Sequence, residues 1–440
     1  MLDEERKISV HSIAMLEVDG ATTIPTVVYY DGEKPKIGLD ALDSCEEPQF
    51  LNQDFKLDLG NKPLSKLRED RKRVNNSGYR RSPLGITNDF FRQGFKHLDD
   101  WSSVLSKNSP THALIAEPVR LDAEGIASDS WLGNYRAAVK SITEQNFNRI
   151  GFLPEPFAVY QYYRYDYRSE AVTQTKKRIA LVIDFGGGTF DVSVIETKKD
   201  GDISQSGSNQ RPYGAKSIQV GGFYINRKLT EQLLLDNARD QKIKSRIRRI
   251  LDRYKNRRNI DPDELEEIHP DHMVFLRNVQ LLEYYVEDTK KDLCKKMPHW
   301  SLDKSLPKEI SVSVKVPENP FKENSNWVEI PVFAEYLRGV FEKEIWKNRI
   351  ISCITTCLSR SKSDLKGQPI NVVLLSGGSA NIRWLKPLIE RDLSQETGGA
   401  RIVELKEDYQ EIVAKGLAIE CARRFPCLTS APVEQISGIA

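Results

Sequence analysis

Hydrophobic and polar positions follow two patterns in the middle of the chain. Residues 180–185 form an apolar run that only Asp184 interrupts, which predicts a buried strand. Residues 190–194 alternate between apolar and polar side chains, which predicts a second strand. Three glycines and a threonine separate the two runs. The segment is therefore predicted to be a strand, a tight turn and a second strand.

Similar patterns along the rest of the chain predict both strands and helices, with no internal repeat. A chain of 440 residues is expected to hold more than one core, which favours two lobes. Strands are predicted at 112–119, 308–332 and 370–376, and helices at 131–147, 222–258, 276–296, 333–360 and from Ile382 onward.

Charge and composition narrow the class of protein. The net charge of +2 gives no reason to expect a nucleic-acid partner, and no apolar run has the length of a membrane span. The first residues lack the apolar core of a signal peptide. Six cysteines without framework spacing indicate a reducing compartment, so a cytoplasmic location is expected. Cys353 and Cys357, one helical turn apart, are interpreted as buried residues and not as metal ligands.

One predicted helix end is strongly basic. Residues 242–258 contain nine basic residues and one acid, Asp252, while isoleucines and a leucine recur at helical spacing. The favoured interpretation is the solvated face of an amphipathic helix, and RNA binding is the weaker alternative.

The glycine turn carries the first candidate chemistry. Gly186, Gly187 and Gly188 can adopt positive φ and leave backbone N–H groups uncovered, so the turn can hold phosphate oxygens. Thr189 adds a hydroxyl, and Asp184 could hold the water shell of Mg²⁺. The alternative is an ordinary hairpin with a flexible tip, which needs only one or two glycines.

A second glycine turn follows the predicted strand at 370–376. Gly377 and Gly378 would allow close approach of a planar ligand or a phosphate, with a helix N-terminus nearby. No P-loop motif occurs, and the first turn lacks the strand-to-helix context of a dinucleotide fingerprint. Both of those nucleotide folds are disfavoured.

Together these motifs resemble the nucleotide-binding domain of the seventy-kilodalton heat-shock (DnaK-type) chaperones, in the actin–hexokinase ATPase superfamily. The string from Asp184 to Val194 is the most specific match, and the resemblance spans about residues 8–425. The other matching segments follow in family order: 24–28, 31–33 and 37–38, 55–60, 154–156, 221–223, 287–294, 377–379 and 413–418.

The resemblance implies an α/β fold with two lobes, built from ribonuclease-H-like mixed sheets flanked by helices. Lobe I would comprise residues 1–173, and lobe II residues 174–404, including a helical subdomain at about 224–305. Residues 405–440 would return to lobe I and form the C-terminal tail. Gly416, within a predicted helix, is expected to lie at a close packing contact, because glycine costs about 1 kcal/mol there relative to alanine.

The resemblance also implies a site for ATP or ADP with Mg²⁺. Asp184 would bind Mg²⁺ through water, Lys56 would orient the attacking water, and Glu155 would join the metal and water shell. Phosphates would contact the glycine turn and the Thr189 hydroxyl. The remaining implied nucleotide-binding residues are Gly221, Gly222, Glu287, Lys290, Lys291, Cys294, Gly377, Gly378, Ser379 and Asn381.

Several residues depart from the family pattern. Asn381 replaces an arginine that stacks on adenine, Cys294 replaces a serine that bonds the base, and Phe223 replaces an acid. The family's first phosphate hairpin, Asp-Leu-Gly-Thr-Thr, is expected to be missing, and Asp19 is interpreted as a turn residue.

These departures lead to two main hypotheses. The first is a chaperone-like ATP-binding protein with weak or absent hydrolysis, in which Mg-ATP controls lobe closure and contacts with an unknown protein partner or co-chaperone. The second is a pseudo-ATPase scaffold of the same fold. No peptide-clamp domain and no membrane partner are expected.

Overall fold

The computed structural model of the chain supports an account of most residues. The described residues are 13–15, 17–18, 20–47, 50–53, 55–104, 112–118, 129–166, 177–198, 212–238, 240–253, 270–297, 310–382, 384–404, 411–424 and 437–438. Asp19 and residues 254–258 of the basic segment lie outside them.

Strands and helices alternate along the described residues. The strands are β1 (Ala14–Met15), β2 (Val27–Asp31), β3 (Lys34–Ile37), β4 (Asn52–Gln53), β5 (Lys72–Arg73), β6 (Arg80–Arg81), β7 (His112–Glu117), β8 (Arg149–Pro154), β9 (Lys177–Phe185), β10 (Phe190–Lys198), β11 (Gly214–Ile218), β12 (Ser311–Pro317), β13 (Trp327–Phe333), β14 (Val372–Ser376), β15 (Arg401–Glu404) and β16 (Ser437–Gly438).

The helices connect or flank these strands. They are α1 (Gly38–Asp43), α2 (Phe55–Asn61), α3 (Leu64–Glu69), α4 (Pro83–Val104), α5 (Asp129–Thr143), α6 (Glu155–Asp166), α7 (Gly222–Asn237), α8 (Gln241–Arg253), α9 (Pro270–Lys296), α10 (Ala334–Val340), α11 (Ile351–Leu365), α12 (Leu385–Asp392) and α13 (Glu411–Arg424).

The largest sheet has five strands in the order β11-β10-β9-β14-β15. β9 and β10 form the predicted antiparallel hairpin, and β14 joins β9 and β15 in parallel. The sheet is therefore mixed, as the α/β expectation requires. The ends of β9 and β14 lie side by side, because Ser376 pairs with Asp184. This register brings the two glycine turns of the sequence together.

Both faces of this sheet are covered. Leu181 and Ile183 pack into a large core with α7, α9 and α11. Ala180 and Val182, on the opposite face, pack against α6 and α13. Burial on both faces explains why residues 180–183 are continuously apolar, where a strand with one wet face would alternate.

Smaller sheets surround the main one. β2 lies between β3 and β4 in a three-stranded antiparallel sheet. β7 pairs with β8 in parallel, and α5 connects the two strands along the chain. β5 pairs with β6, β12 with β13, and β1 with β16. The arrangement is a mixed α/β fold with several small sheets and helices.

Three predicted helices differ in their bounds. The segment predicted at 222–258 is divided into α7 and α8, and the segment at 333–360 contains a π-helical stretch, Phe341–Ile350, between α10 and α11. The helix predicted from Ile382 begins instead at Leu385, after a 3-10 turn at Gly378–Asn381. The second helix of the first segment begins after Asp240, whose carboxylate accepts from the Ile243 N–H at 2.8 Å as a helix N-cap does.

Two packing predictions are confirmed. A Cβ atom on Gly416 would overlap the carbonyl group of Ala158 on α6, so glycine is needed where α13 crosses that helix. Cys353 and Cys357 are buried on α11, where the Cys357 thiol lies 3.6 Å from the Val192 carbonyl oxygen. Within the described residues, the helices lack the combination of length and apolar character needed to cross a bilayer.

Candidate functional site

The glycine turn between β9 and β10 is short and closed by its own backbone. The Gly186 N–H donates to the Thr189 carbonyl at 2.9 Å, and Gly187 at the tip is exposed. Gly186, Gly187 and Gly188 do not use the positive φ that the sequence suggested. A Cβ atom on Gly186 or on Gly187 would meet its nearest neighbour at 3.6 Å, an ordinary contact, so packing does not require glycine at either position.

Two carboxylates face each other at the base of the hairpin. Asp184 on β9 is directly opposite Asp191 on β10, and both side chains are buried. Burial raises the pKa of Asp184 well above its usual value, and Glu155 and Asp191 raise it further. Burial and Glu155 raise the pKa of Asp191 to about 7, although the hydroxyls of Ser217 and Thr189 lower it.

Asp191 is a candidate site residue that the sequence reasoning missed. The alternating pattern identifies it only as a polar position of a strand. The position of Asp191 opposite Asp184 could have been deduced from the predicted hairpin. Residues equally far from the turn pair with each other, so Phe185 pairs with Phe190 and Asp184 with Asp191. Like charges directly opposite in a sheet are unfavourable, so such a pair indicates a cation or proton requirement.

Thr189 contacts Asp191, one member of the Asp184–Asp191 pair. Its hydroxyl donates to Asp191 at 2.6 Å, so in this structure the hydroxyl is directed toward the carboxylate.

Lys56 and Glu155 approach the same place from separate elements. Lys56 lies in the first turn of α2, and Glu155 is the first residue of α6, directly after β8. The Lys56 ammonium is 2.5 Å from a Glu155 carboxylate oxygen. Burial alone would lower the pKa of Lys56, but the adjacent Glu155 outweighs burial and raises it.

These four residues, Lys56, Glu155, Asp184 and Asp191, are here named the carboxylate cluster. It contains three carboxyl groups and one ammonium, so ionisation of all three leaves excess negative charge in a largely buried place. In the described part of the chain, no group of three or more His, Cys, Asp or Glu side chains is placed to hold a metal ion. Mg²⁺ held through water, as the sequence predicted for Asp184, is compatible with that geometry.

The glycine pair at the start of α7 packs onto the hairpin. The N–H groups of Gly222 and Phe223 donate to the carbonyls of Gly186 and Gly187, at 3.1 and 3.0 Å. A Cβ atom on Gly221 would collide with the backbone of Gly187 and Gly188. Gly221 and Gly222 therefore lie against the first glycine turn.

The second glycine turn packs onto the same hairpin from β14. Gly377 has φ +87°, and a Cβ atom there would collide with the Asp184 carboxylate and the Phe185 backbone. The Ser379 hydroxyl donates to the Gly186 carbonyl at 2.9 Å. Gly378 opens the 3-10 turn, and the exposed Asn381 amide donates to its carbonyl at 3.1 Å.

A second charged group lies on α9 beside the glycine pair. Asn226, Glu287, Lys290 and Lys291 form what is here named the lysine–glutamate cluster. Glu287 pairs with Lys290 at 2.7 Å and with Lys291 at 3.2 Å, and the Asn226 amide donates to it at 2.5 Å. Burial would raise the pKa of Glu287, but the two lysines lower it to about 2.

The structure separates the remaining predicted residues on α9. Lys290 is buried and donates to the Gly222 carbonyl at 3.2 Å, whereas the Lys291 side chain is 53% exposed. Cys294 is partly buried and packs against the large core. The predicted residues are therefore arranged as two clusters joined through the glycine turns.

The residues present fit a phosphate-bearing ligand with a divalent cation. Gly187 is exposed at the turn, Gly221 and Gly377 pack so closely against the hairpin that a Cβ atom at either would collide with it, and the adjacent carboxylate cluster has an excess of negative charge. Backbone N–H groups suit phosphate oxygens, and carboxylates suit hydrated Mg²⁺.

The fold and site thus define a mixed α/β protein whose glycine turns meet acidic and basic clusters at strand ends. The chain is 26% identical over 252 residues to chaperone protein HscA from Buchnera aphidicola subsp. Acyrthosiphon pisum strains Tuc7, 5A and APS. The matches cover 53% of this chain and 39% of HscA, so the chain spans about two fifths of the length of these curated relatives. No family model matches the chain.

This distant homology supports a relationship to the seventy-kilodalton heat-shock family over about half of the chain. It is also consistent with an actin-like ATPase fold.

Proposed function

We propose that the chain is a chaperone-like protein that binds Mg-ATP between two lobes. Nucleotide binding would control lobe closure and the contacts with a protein partner, with weak or absent hydrolysis. The distant similarity to chaperone protein HscA supports the chaperone-like, ATP-binding part of this proposal.

One observation carries the proposal. Three segments far apart in the chain bring Lys56, Glu155 and the Asp184–Asp191 pair to one glycine turn. A structural ion pair alone would not need two buried carboxyl groups and a third, partly buried one beside an exposed glycine turn. Phosphoryl transfer consists largely of positioning and charge stabilisation, which such groups provide.

Each residue has a proposed role. Bound Mg²⁺ would neutralise phosphate charge, while Asp184 and Asp191 would hold water of its shell. The backbone of Gly186 to Gly188 would bind phosphate oxygens, and Lys56, held by Glu155, would orient a water molecule. Lys291 and Glu287 would contact the ribose, with the 377–379 turn beside the base.

A scaffold of the same fold that binds nucleotide without turnover is the second candidate. Asn381 and Cys294, at positions where the resemblance implies an arginine and a serine, favour it. The Thr189 hydroxyl and the Lys56 ammonium are also both engaged by carboxylates, at 2.6 and 2.5 Å.

Calorimetry with ATP, in Mg²⁺ and in EDTA, tests the proposal, with phosphate release measured in parallel. We expect binding that depends on Mg²⁺ and a weaker affinity in Thr189→Ala. Binding without phosphate release would favour the scaffold. Absence of any ATP binding by the wild-type chain would contradict both candidates.

A further inference from the structure

The basic helix α8 is a part of the molecule that the proposed nucleotide site does not use. It spans Gln241–Arg253 and contains six basic residues and one acid, Asp252. The whole chain has a net charge of only +2, so this positive charge is a local feature. The six residues are here named the basic surface: Lys242, Lys244, Arg246, Arg248, Arg249 and Arg253.

The apolar side of α8 is already covered by the protein. Ile247, Ile250 and Leu251 are buried in the large core. The Asp240 carboxylate caps the start of the helix by accepting from the Ile243 N–H at 2.8 Å. Packing and capping thus fix the direction of the basic side chains. A helix anchored in this way has no free apolar face to insert into a membrane, which disfavours a lipid surface as the partner.

The basic side chains form two rows along α8. The first row recurs at intervals of four, three and four residues on one side of the helix and consists of Lys242, Arg246, Arg249 and Arg253. At a rise of about 1.5 Å per residue, this row is about 16 Å long. Lys244 and Arg248 lie four residues apart and form the second row. The rows therefore suit an extended anion better than a compact one.

Four cations of the basic surface make no ion pair with any residue that the structure describes: Lys242, Lys244, Arg248 and Arg249. All four are exposed except Lys244, which is partly exposed. Arg246 differs from them, because its guanidinium lies 4.0 Å from the centre of the Phe321 ring. Like charges at neighbouring helical positions repel each other, and a bound anion would relieve that repulsion.

The composition of this surface favours a nucleic acid over a protein partner. The other exposed residues of α8 are Gln241, Ser245 and Asp252, so no exposed side chain of this helix is apolar. The centres of protein interfaces are depleted of charge and enriched in aromatic side chains. Phosphate backbones are bound mainly by Arg and Lys, with release of condensed counterions. These features favour the nucleic-acid alternative that the sequence pattern alone ranked second.

We propose that the basic surface binds the phosphate backbone of a nucleic acid. This inference goes beyond the proposed nucleotide function and does not depend on it. Contacts to phosphates carry no sequence information, so RNA and DNA of different sequences bind alike. The basic surface includes none of the residues assigned to the nucleotide site, so Mg-ATP does not compete for it.

The test replaces the four cations that lack a described partner, in a variant carrying Lys242→Gln, Lys244→Gln, Arg248→Gln and Arg249→Gln. Fluorescence anisotropy measures binding to a labelled single-stranded RNA or DNA of about 20 nucleotides at several salt concentrations. The variant should bind about a hundredfold more weakly than wild type at about 0.1 M salt. The slope of log affinity against log salt should decrease in magnitude by about 3, because each lost phosphate contact removes about 0.7.

A matched control removes the same amount of charge from exposed lysines elsewhere, with the changes Lys34→Gln, Lys66→Gln, Lys140→Gln and Lys362→Gln. Distant charges are screened at this salt, so the control should lose less than about threefold in affinity. Equal losses in the two variants would show attraction to the whole protein and overturn the proposal. Urea unfolding should show that both variants are as stable as wild type, because neither loses a described ion pair.

Competitors separate a nucleic acid from other anions. Poly-glutamate and anionic lipid vesicles, at equal concentrations of charge, should displace the oligonucleotide only weakly. Efficient displacement by poly-glutamate would identify an acidic protein as the partner, and efficient displacement by vesicles a membrane, and either result would overturn the proposal. Displacement by Mg-ATP would place the oligonucleotide in the nucleotide site and overturn it as well. A wild-type chain that binds no oligonucleotide but binds Mg-ATP would overturn this inference and leave the proposed function standing.

Discussion

The carboxylate cluster and the lysine–glutamate cluster both border the glycine turns and have opposite electrostatic characters. The first has three carboxyl groups for one ammonium, and the pKa values of Asp184 and Asp191 are raised. The second has two ammonium groups around Glu287, whose pKa is lowered to about 2.

This difference in charge indicates that the two clusters have different functions. Excess buried negative charge is costly without a cation, so the carboxylate cluster is suited to bind one that arrives with a ligand. In the lysine–glutamate cluster, Lys290 and Lys291 pair with Glu287, and Lys290 also donates to the backbone carbonyl of Gly222. This cluster is therefore suited to hold the backbone in position. Raised pKa values mark candidate functional groups more often than balanced ion pairs do.

The largest effect is expected at Gly377, where the two glycine turns meet. Gly377→Ala would place a methyl group against Asp184 and Phe185 at a positive φ. Backbone strain and overpacking together should destabilise the protein by about 3 kcal/mol. Urea unfolding measures the loss, and Mg-ATP binding should be lost with it.

Gly367→Ala is the matched control, because it measures the cost of backbone strain at a positive φ without overpacking. Gly367 has φ +80°, and a Cβ atom there would have nothing within 4 Å. Gly367→Ala should lower the free energy of unfolding by about 1 kcal/mol. If both variants lost the same free energy of unfolding, the collision at Asp184 would not contribute.

The next largest loss of stability is expected for Lys56→Met, because this substitution removes the cation from the carboxylate cluster. The Lys56 side chain is 39% exposed, so solvent reduces the expected loss of unfolding free energy to about 1–2 kcal/mol. The loss should be larger at about pH 8 than at about pH 6, because the pKa of Asp191 is about 7 and its ionisation adds negative charge.

Lys291→Met tests the same change in the lysine–glutamate cluster. Glu287 keeps Lys290, so the loss should be below about 0.5 kcal/mol and should not change between those pH values. A pH-dependent loss as large as that of Lys56→Met would remove the distinction between the clusters.

Effects of opposite sign are expected from two glutamates one turn apart on α9. Burial raises the pKa of Glu283 to about 7, although Arg227 lowers it, whereas the pKa of Glu287 is lowered to about 2. Ionised Glu283 costs stability as pH rises from 4.5 to about 7, and the cost is complete above that window. Glu287 contributes stability above 4.5 that is lost as pH falls toward 2.

Glu283→Gln should therefore stabilise the protein at about pH 8 and Glu287→Gln should destabilise it, each by about 1 kcal/mol. Urea unfolding at about pH 8 and about pH 5 measures both. The stabilisation by Glu283→Gln should diminish at the lower pH. Effects of the same sign in the two variants at pH 8 would contradict the assignment of opposite environments.

Much of the secondary structure followed from local patterns. The apolar run and alternating segment predicted the β9–β10 hairpin, which the structure confirms. Predicted helices near 131–147 and 276–296 correspond to α5 and α9. The boundaries were less predictable: α7 ends at Asn237 and α8 begins at Gln241, and α12 begins at Leu385 after a 3-10 turn.

The candidate site was predictable in its members but not in its contacts. Lys56 and Glu155 could be named from the motifs, yet their 2.5 Å pair joins residues 99 positions apart. Lys290 was expected at the nucleoside, and only folding places its ammonium on the Gly222 carbonyl. Asp191 was missed because its significance depends on hairpin register.

The sequence by itself determined the glycine turn, its flanking strands and the order of motifs, because backbone freedom and hydrophobic periodicity are local properties. Only the tertiary structure decided which charges share a buried space. Desolvation and Coulomb interactions depend on distance in space, so the carboxylate cluster arises from the packing of segments far apart in the chain, whereas helical spacing already places Glu287 beside Lys290 and Lys291.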